Sequence, residues 1–400
     1  MSAISSDIPL KRHSGTAQEA PAEGLIKVRP DNQPKSELRD PRKNVEINIG
    51  KACNNRCVFC IDGLPKREDR SYMPWPQMRA ELEKWRAEGY ASVGFLGGEP
   101  TTYPRICDSV AYARELGFTR IAIATNATKL RLEHFADRIL DAGLTRVTVS
   151  MHGHTAELED RLTRVPGNFE KKCAAIRYLV KRKKRDGVLK DGLSVNIVLN
   201  GWNYRHLPRM MRFFYETLEV DDLRVNFIRP EGYADGDADL TPQYHKVVPW
   251  VIKGIVLAET HFKRVFTFGG IPMCVLPPAL RRDERLLSRY MGEYRDLSTA
   301  CSVRSDGGDV IPPGMKANPE SWVDGPKSSA VFFTKEDGRA RFNWQDRKKL
   351  DLKGQPVACR TCELNHTCEG VWKGYLDIWG DRRFKSVKIA DTALGKKLKQ

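Results

Sequence analysis

From Val45 onward the chain alternates short apolar runs with longer amphipathic ones, and this alternation restricts the fold more than any other feature of the sequence. Val45-Glu46-Ile47-Asn48-Ile49 alternates apolar and polar residues as a strand does, and strand-like runs recur at 92–97, 120–125, 146–151, 193–199 and 223–228. Helix-like stretches such as 75–88 and 104–116 lie between them. Strand, helix and strand repeated in this order predict parallel strands joined by crossover helices. Loops at the C-terminal ends of such strands carry the chemistry, so those ends are read closely.

The first strand runs through Gly50-Lys51-Ala52 into Cys53-Asn54-Asn55-Arg56-Cys57-Val58-Phe59-Cys60. With ten cysteines in 400 residues, a given Cys has others at both +4 and +7 about once in 1,600 by chance. Thiolates are soft ligands that select zinc, copper(I) or iron-sulfur clusters. A structural zinc site closes four ligands, whereas three thiolates on a four-iron cluster leave one iron open. The second strand ends in Gly97-Gly98-Glu99-Pro100, where glycines permit close backbone approach and a carboxylate can pair with an ammonium. The third ends in Thr125-Asn126 and the fourth in Ser150-Met151-His152-Gly153-His154, followed by Asp160 and Gly167-x-Phe169. The fifth carries Asn196 and Asn200; the sixth ends in Arg229-Pro230-Glu231, and the planar fork of Arg229 suits a carboxylate or phosphate. His152 and His154 read first as ordinary hydrogen-bonding loop residues, with substrate contact as the alternative.

Lys and Arg number 67 against 51 acidic residues, a formal charge of +16, which favours acidic partners without choosing among nucleotides, RNA and acidic peptides. The densest run, 181–185, continues a helix that starts near Phe169; no aromatic residues interleave with it, so it reads as a solvated helix end rather than a nucleic-acid site. No apolar run reaches about 18 residues, and the cysteines are clustered rather than spread as a disulfide scaffold would be. The expectation is a cytoplasmic enzyme that does not span a membrane.

Cys-x3-Cys-x2-Cys after a first strand, with Phe59 before the last Cys, resembles the signature of the radical S-adenosylmethionine (SAM) superfamily. The resemblance implies an open six-stranded (β/α) barrel, a partial TIM-type fold, with a 4Fe-4S cluster on Cys53, Cys57 and Cys60. It implies that SAM chelates the open iron, and that Gly97, Gly98, Glu99 and Pro100 hold its amino group. Asn126 belongs to a Thr-Asn pair frequent at that strand end, and Ser150 is the candidate ribose contact. An electron donor such as flavodoxin or ferredoxin is implied as well.

A second set, Cys359, Cys362 and Cys368, is spaced Cys-x2-Cys-x5-Cys. It resembles part of the C-terminal auxiliary-cluster region called SPASM or, when shorter, twitch. Trp372 stands where the longer pattern has a further Cys, so one auxiliary 4Fe-4S cluster is expected rather than two. Its fourth ligand is either Cys274, in Gly270-Ile271-Pro272-Met273-Cys274, or Cys301, with Cys274 favoured; His366 leaves a zinc site as the alternative. Cys107 and Cys173 read as buried helix thiols, and 302–341 as a loop over the site.

The expected organisation is a flexible arm at 1–42, too short and polar for a leader-binding winged helix, and a barrel at 43–235. A helical connector at 236–270, an auxiliary-cluster domain at 271–385 and a basic tail at 386–400 follow. The expected activity is hydrogen abstraction from a small-molecule or peptide substrate, acidic or phosphorylated ones included. RNA modification, a zinc-stabilised nucleic-acid-binding protein and a simple redox carrier are the rivals.

Overall fold

Alternation along each strand dictates two faces, and both are filled as the pattern requires in the structure, a computed structural model that describes residues 43–61, 71–292, 299–302, 332–333, 340–365, 368–388 and 390. In chain order come β1 Asn44–Asn48, α1 Trp75–Ala87, β2 Ser92–Leu96, α2 Ile106–Glu115, β3 Arg120–Thr125, α3 Glu133–Asp141 and β4 Arg146–Ser150. Then follow α4 Ala156–Thr163, α5 Asn168–Asp186, β5 Gly192–Leu199, α6 Leu207–Arg212, β6 Asp222–Phe227, α7 Tyr244–Leu257 and β7 Phe266–Gly269. Strands β1 to β7 pair in sequence order and all in parallel, giving the curled sheet of a partial barrel.

Outward residues such as Val45, Ile47, Val93, Phe95, Ile123, Val149, Ile197 and Phe268 are 1% exposed or less and share one core with Met78, Leu82, Val110, Ile139, Ile176, Met210 and Val251 of the helices. Burying each such side chain stabilises the fold by about 1.5–3 kcal/mol. Inward residues are mostly polar or small. At the N-terminal end of the strands Arg120 donates to Ser92 Oγ at 2.8 Å. Beside it Arg146 donates to Ser194 Oγ at 3.0 Å and pairs with Asp222 at 3.2 Å, both side chains of that pair being essentially unexposed. Two arginines thus plug that end, while Ala124 and Asn226 remain exposed at the other, so the lumen opens at the C-terminal strand ends.

The sheet corrects the sequence reading in three places. Among the described residues seven consecutive strands run parallel rather than six: the segment read as a helical connector contains α7 but also β7, a four-residue run too short for its alternation to stand out. After α8 Pro278–Arg281 and α9 Glu284–Tyr290, β8 Thr299–Ser302 pairs in parallel with the free edge of β1. Of the stretch read as a loop, β9 Phe332–Phe333 and β10 Ala340–Asn343 extend that edge antiparallel, and 303–331 lies outside the described residues. The arm at 1–42, His366 and residues 391–400 also lie outside them. α10 Trp344–Arg347, the two-stranded β11 Lys353–Gly354 with β12 Val371–Trp372, and α11 Lys373–Trp379 complete the chain. Tyr375 of α11 stacks on Tyr244 of α7 with centroids 4.2 Å apart, fastening the C-terminal region to the barrel.

Candidate active site

The cysteine loop leaves β1 and is tied down on every side by elements distant in sequence. Gly98 N donates to Gly50 O and Glu99 N to Ala52 O, both at 2.7 Å. The close approach that Gly97 and Gly98 permit is therefore to the loop backbone: a Cβ on Gly98 would sit 2.2 Å from Ala52 O, and one on Gly97, at φ +122°, 2.6 Å from Gly50 O. On the far side, Arg56 N donates to Thr163 O at 3.1 Å and Val58 N to Leu162 O at 2.9 Å, so Cys57 is bracketed onto the last turn of α4. Asn168, at the start of α5, donates to Asn55 Oδ1 at 2.8 Å, and Tyr233 N, beyond β6, to Cys60 O at 3.1 Å.

Glu99 is 1% exposed and gathers four donors: Thr101 N at 3.0 Å, Thr101 Oγ1 at 2.5 Å, Thr125 Oγ1, and Asn126 N at 2.6 Å. The Thr125-Asn126 pair thereby holds the carboxylate in place, and Asn126 Nδ2 donates onward to Asn54 Oδ1 at 2.6 Å. Pro100 begins a buried single turn at the same corner. Ser150 is half-buried at the end of β4 in register with Asn196, whose Oδ1 accepts from Asn226 Nδ2 at 2.7 Å. These side chains form a polar rim at the open mouth.

Other candidates have internal duties. Asn200 is wholly buried and accepts from Trp202 N at 2.9 Å, closing a turn. Asp160 accepts from Gly167 N at 2.6 Å and Phe169 N at 2.9 Å. His152 accepts from Val198 N at 3.0 Å and meets the edge of the buried Phe59 ring 4.6 Å away; burial pushes its pKa down to about 4, so it is neutral. His154 faces His206, with ring centroids 5.4 Å apart, and burial lowers its pKa too. Arg229 is ion-paired with Glu231 and lies between the Trp344 and Trp372 rings, 6.0 and 5.7 Å from their centroids. The basic run on α5 is largely neutralised: Arg182 pairs with Asp137 and Asp186, Lys183 with Asp221, Lys184 with Glu219 and Arg185 with Asp186.

Cys274, Cys359, Cys362 and Cys368 line one cavity together with Met273 and Val371. Main-chain N–H groups of Gly370 and Met273 point at the Cys368 sulfur, and that of Lys385 at Cys274. Cys301 sits in β8, with its side chain outside the described residues. Both cysteine sets offer thiolate donors, the soft ligands that suit an iron-sulfur cluster. Burial pushes the Cys57 and Cys274 thiols up to about 12, so thiolates at these positions require a cationic centre beside them. What sequence reasoning missed is the bracing of the loop by Asn54, Asn55, Asn168 and the end of α4. No motif marks these residues, because their partners lie more than 70 positions away.

A curled parallel sheet whose strand ends gather three cysteines, a Gly-Gly-Glu-Pro corner and a polar mouth has the form of a partial-barrel enzyme with its site at the C-terminal strand ends. Residues 47–214 match the model of the Radical SAM superfamily. It is 25% identical over 356 residues to the tungsten-containing aldehyde ferredoxin oxidoreductase cofactor-modifying protein of Pyrococcus furiosus, covering 85% of this chain and 92% of that one. To the AdoMet-dependent heme synthase of Methanosarcina barkeri it is 28% identical over 213 residues, 51% of this chain and 56% of that protein. Among solved structures, Streptococcus suis SuiB bound to S-adenosylmethionine aligns with a TM-score of 0.58 over 87% of this chain and 77% of that one, at 17% identity. anSMEcpe with bound AdoMet and a Cp18Cys peptide aligns at 0.52 over 90% and 95%, at 15% identity. At those identities the likeness is one of fold.

Proposed function

We propose that this chain is a radical SAM oxidoreductase acting on a peptide substrate, with a second, fully ligated 4Fe-4S cluster in its C-terminal region. The observation that carries the reading is the docking of the Cys53–Cys57–Cys60 loop against Gly97-Gly98-Glu99 at the open end of a polar lumen. Cys53, Cys57 and Cys60 would hold the first cluster. When bound, the cluster and SAM supply one-electron cleavage of the sulfonium and a carbon-centred radical that takes a hydrogen atom from substrate.

The chain's own residues position and enclose that chemistry. Gly97 and Gly98 fix the loop, and Glu99, whose charge is buried among neutral donors, is the acidic partner for the SAM ammonium at this corner. Ser150, with Asn126 near the loop, presents polar groups to the nucleoside. The two arginine networks at the opposite end block water entry through the barrel floor. Cys274 with Cys359, Cys362 and Cys368 fills four ligand positions, so the second cluster would exchange an electron with the substrate radical rather than bind substrate.

A peptide is favoured over nucleic acid because the densest basic run is occupied by internal ion pairs, and because anSMEcpe and SuiB, of the same fold, were crystallised with peptides. A second reading, modification of a redox cofactor, is supported by the Pyrococcus furiosus relative, matched over 92% of its length. We further propose a cytoplasmic location and a low-potential donor such as flavodoxin or ferredoxin; no helix among the described residues is long and apolar enough to cross a membrane. The test is anaerobic reconstitution followed by dithionite and SAM. Formation of 5'-deoxyadenosine that disappears in Cys57→Ala is expected, and zinc as the sole metal at the N-terminal triad would overturn the reading.

A further inference from the structure

Beneath the cysteine loop lies an ion pair sealed from solvent. Lys172 of α5 and Glu159 of α4 are 2.5 Å apart and neither side chain has any exposure. Each charge is also tied to the backbone: Lys172 Nζ donates to Ser150 O at 2.7 Å, and Glu159 Oε2 accepts from His152 N at 2.6 Å and Gly153 N at 2.8 Å. Removing two ions from water costs several kcal/mol each, so this pair is a poor device for stability alone.

Its position is what distinguishes it. Glu159 stands one turn before Leu162 and Thr163, whose carbonyls hold the amides on either side of Cys57. The loop it anchors also places His152 against Phe59. Lys172 stands one turn after Asn168, whose side chain donates to Asn55 Oδ1 of the cysteine loop at 2.8 Å, and both are buried, so the ammonium lies on the face of α5 that meets that loop.

We propose that Lys172 is a positioning residue that keeps a positive charge beneath the cysteine loop and so raises the reduction potential of the N-terminal cluster, with Glu159 as the partial counterweight. The proposal rests on the reading of Cys53, Cys57 and Cys60 as cluster ligands. In a low-dielectric surrounding, a nearby cation stabilises the cluster after it has gained an electron and a nearby anion destabilises it. The two charges therefore act with opposite sign.

The test is a mediated potentiometric titration of the reconstituted holoenzyme, followed by electron paramagnetic resonance on the signal that changes when SAM is added. Lys172→Met should shift the potential downward and Glu159→Gln upward. Lys172→Arg should keep the wild-type value, and the Lys172→Met/Glu159→Gln double variant should fall between the single ones. A merely structural pair would move both single variants in one direction, through loosening of the loop, and that result, or no shift in either, overturns the proposal. Should Lys172→Met fail to fold, Glu159→Gln and Lys172→Arg decide the matter: an unmoved potential in the former, or a lowered one in the latter, refutes it. A wild-type protein lacking any SAM-responsive cluster signal would refute the cluster assignment itself, and is told apart by the absence of a signal to titrate.

Discussion

Gly98→Ala is the sharpest perturbation of the site, because the added methyl group meets only backbone. Its carbon would lie 2.2 Å from Ala52 O and 2.5 Å from Lys51 O, and neither can rotate away as a side chain would. Relief requires the cysteine loop to move off β2, which breaks the Gly98 N–Gly50 O and Glu99 N–Ala52 O hydrogen bonds. Two lost bonds at about 1 kcal/mol each, with overpacking of about 1–3 kcal/mol, weigh against the docked loop by about 3 kcal/mol or more, roughly a hundredfold in its population. After reconstitution, iron at the N-terminal triad and 5'-deoxyadenosine formation should both fall by that order, while the C-terminal cluster signal stays. Gly94→Ala is the control, since its Cβ would meet Glu46 Cγ at an ordinary 3.6 Å. Wild-type iron content in Gly98→Ala would refute the docking argument, as would equal losses in the two variants; a glycine needed only for ligand contact would leave the iron in place.

Cys274→Ala should lose about four irons per chain and the auxiliary signal, while Cys301→Ala keeps both; iron analysis with paramagnetic resonance separates them. Arg146→Met leaves Asp222 buried without its partner, and should destabilise the barrel by about 3–5 kcal/mol in urea unfolding while SAM cleavage per folded molecule is preserved. His152 has its pKa lowered to about 4 against about 6.5 in an unfolded chain. The folded state thus binds the proton less readily, and the stabilisation is complete above pH 6.5 and is lost as the pH falls toward 4. Anaerobic urea unfolding between pH 7 and 5 should show this decline in the wild type and a flatter profile in His152→Gln.

The barrel was legible because its signal is local and repeated. Six of the parallel strands fall within a residue or two of where alternation placed them, since each side chain on β1 to β6 reports a face by parity alone. β7 and β8 were not legible: four residues each, one behind a helix and one in a polar stretch, they become strands only because an open sheet edge accepts them. The cysteine sets could be read from spacing, and Cys274 lines one cavity with Cys359, Cys362 and Cys368. The bracing was invisible for a different reason. Asn168 and Asn55 are 113 residues apart, Lys172 resembles any helix lysine until α4 packs on it, and Arg229 looked free for a ligand until Glu231 was seen beside it.

That difference bears on how the two proposed metal sites would come into being. The N-terminal loop is held by main-chain amides just beyond β2, by backbone carbonyls of α4, and by side chains just beyond β3 and at the start of α5, so its shape is fixed once the sheet has closed, before any iron is bound. Such a site accepts a cluster without refolding. Around the C-terminal cysteines the regular structure is a pair of two-residue strands and short turns, with α11 as the main anchor to the barrel. If the proposed second cluster is bound there, its ligands would be a large share of what crosses between segments, and folding of that region would be coupled to metal in the way small metal-bound domains are. Chelation should accordingly loosen the C-terminal region first and leave the barrel's parallel sheet intact, an ordering that hydrogen exchange on the two halves can read directly.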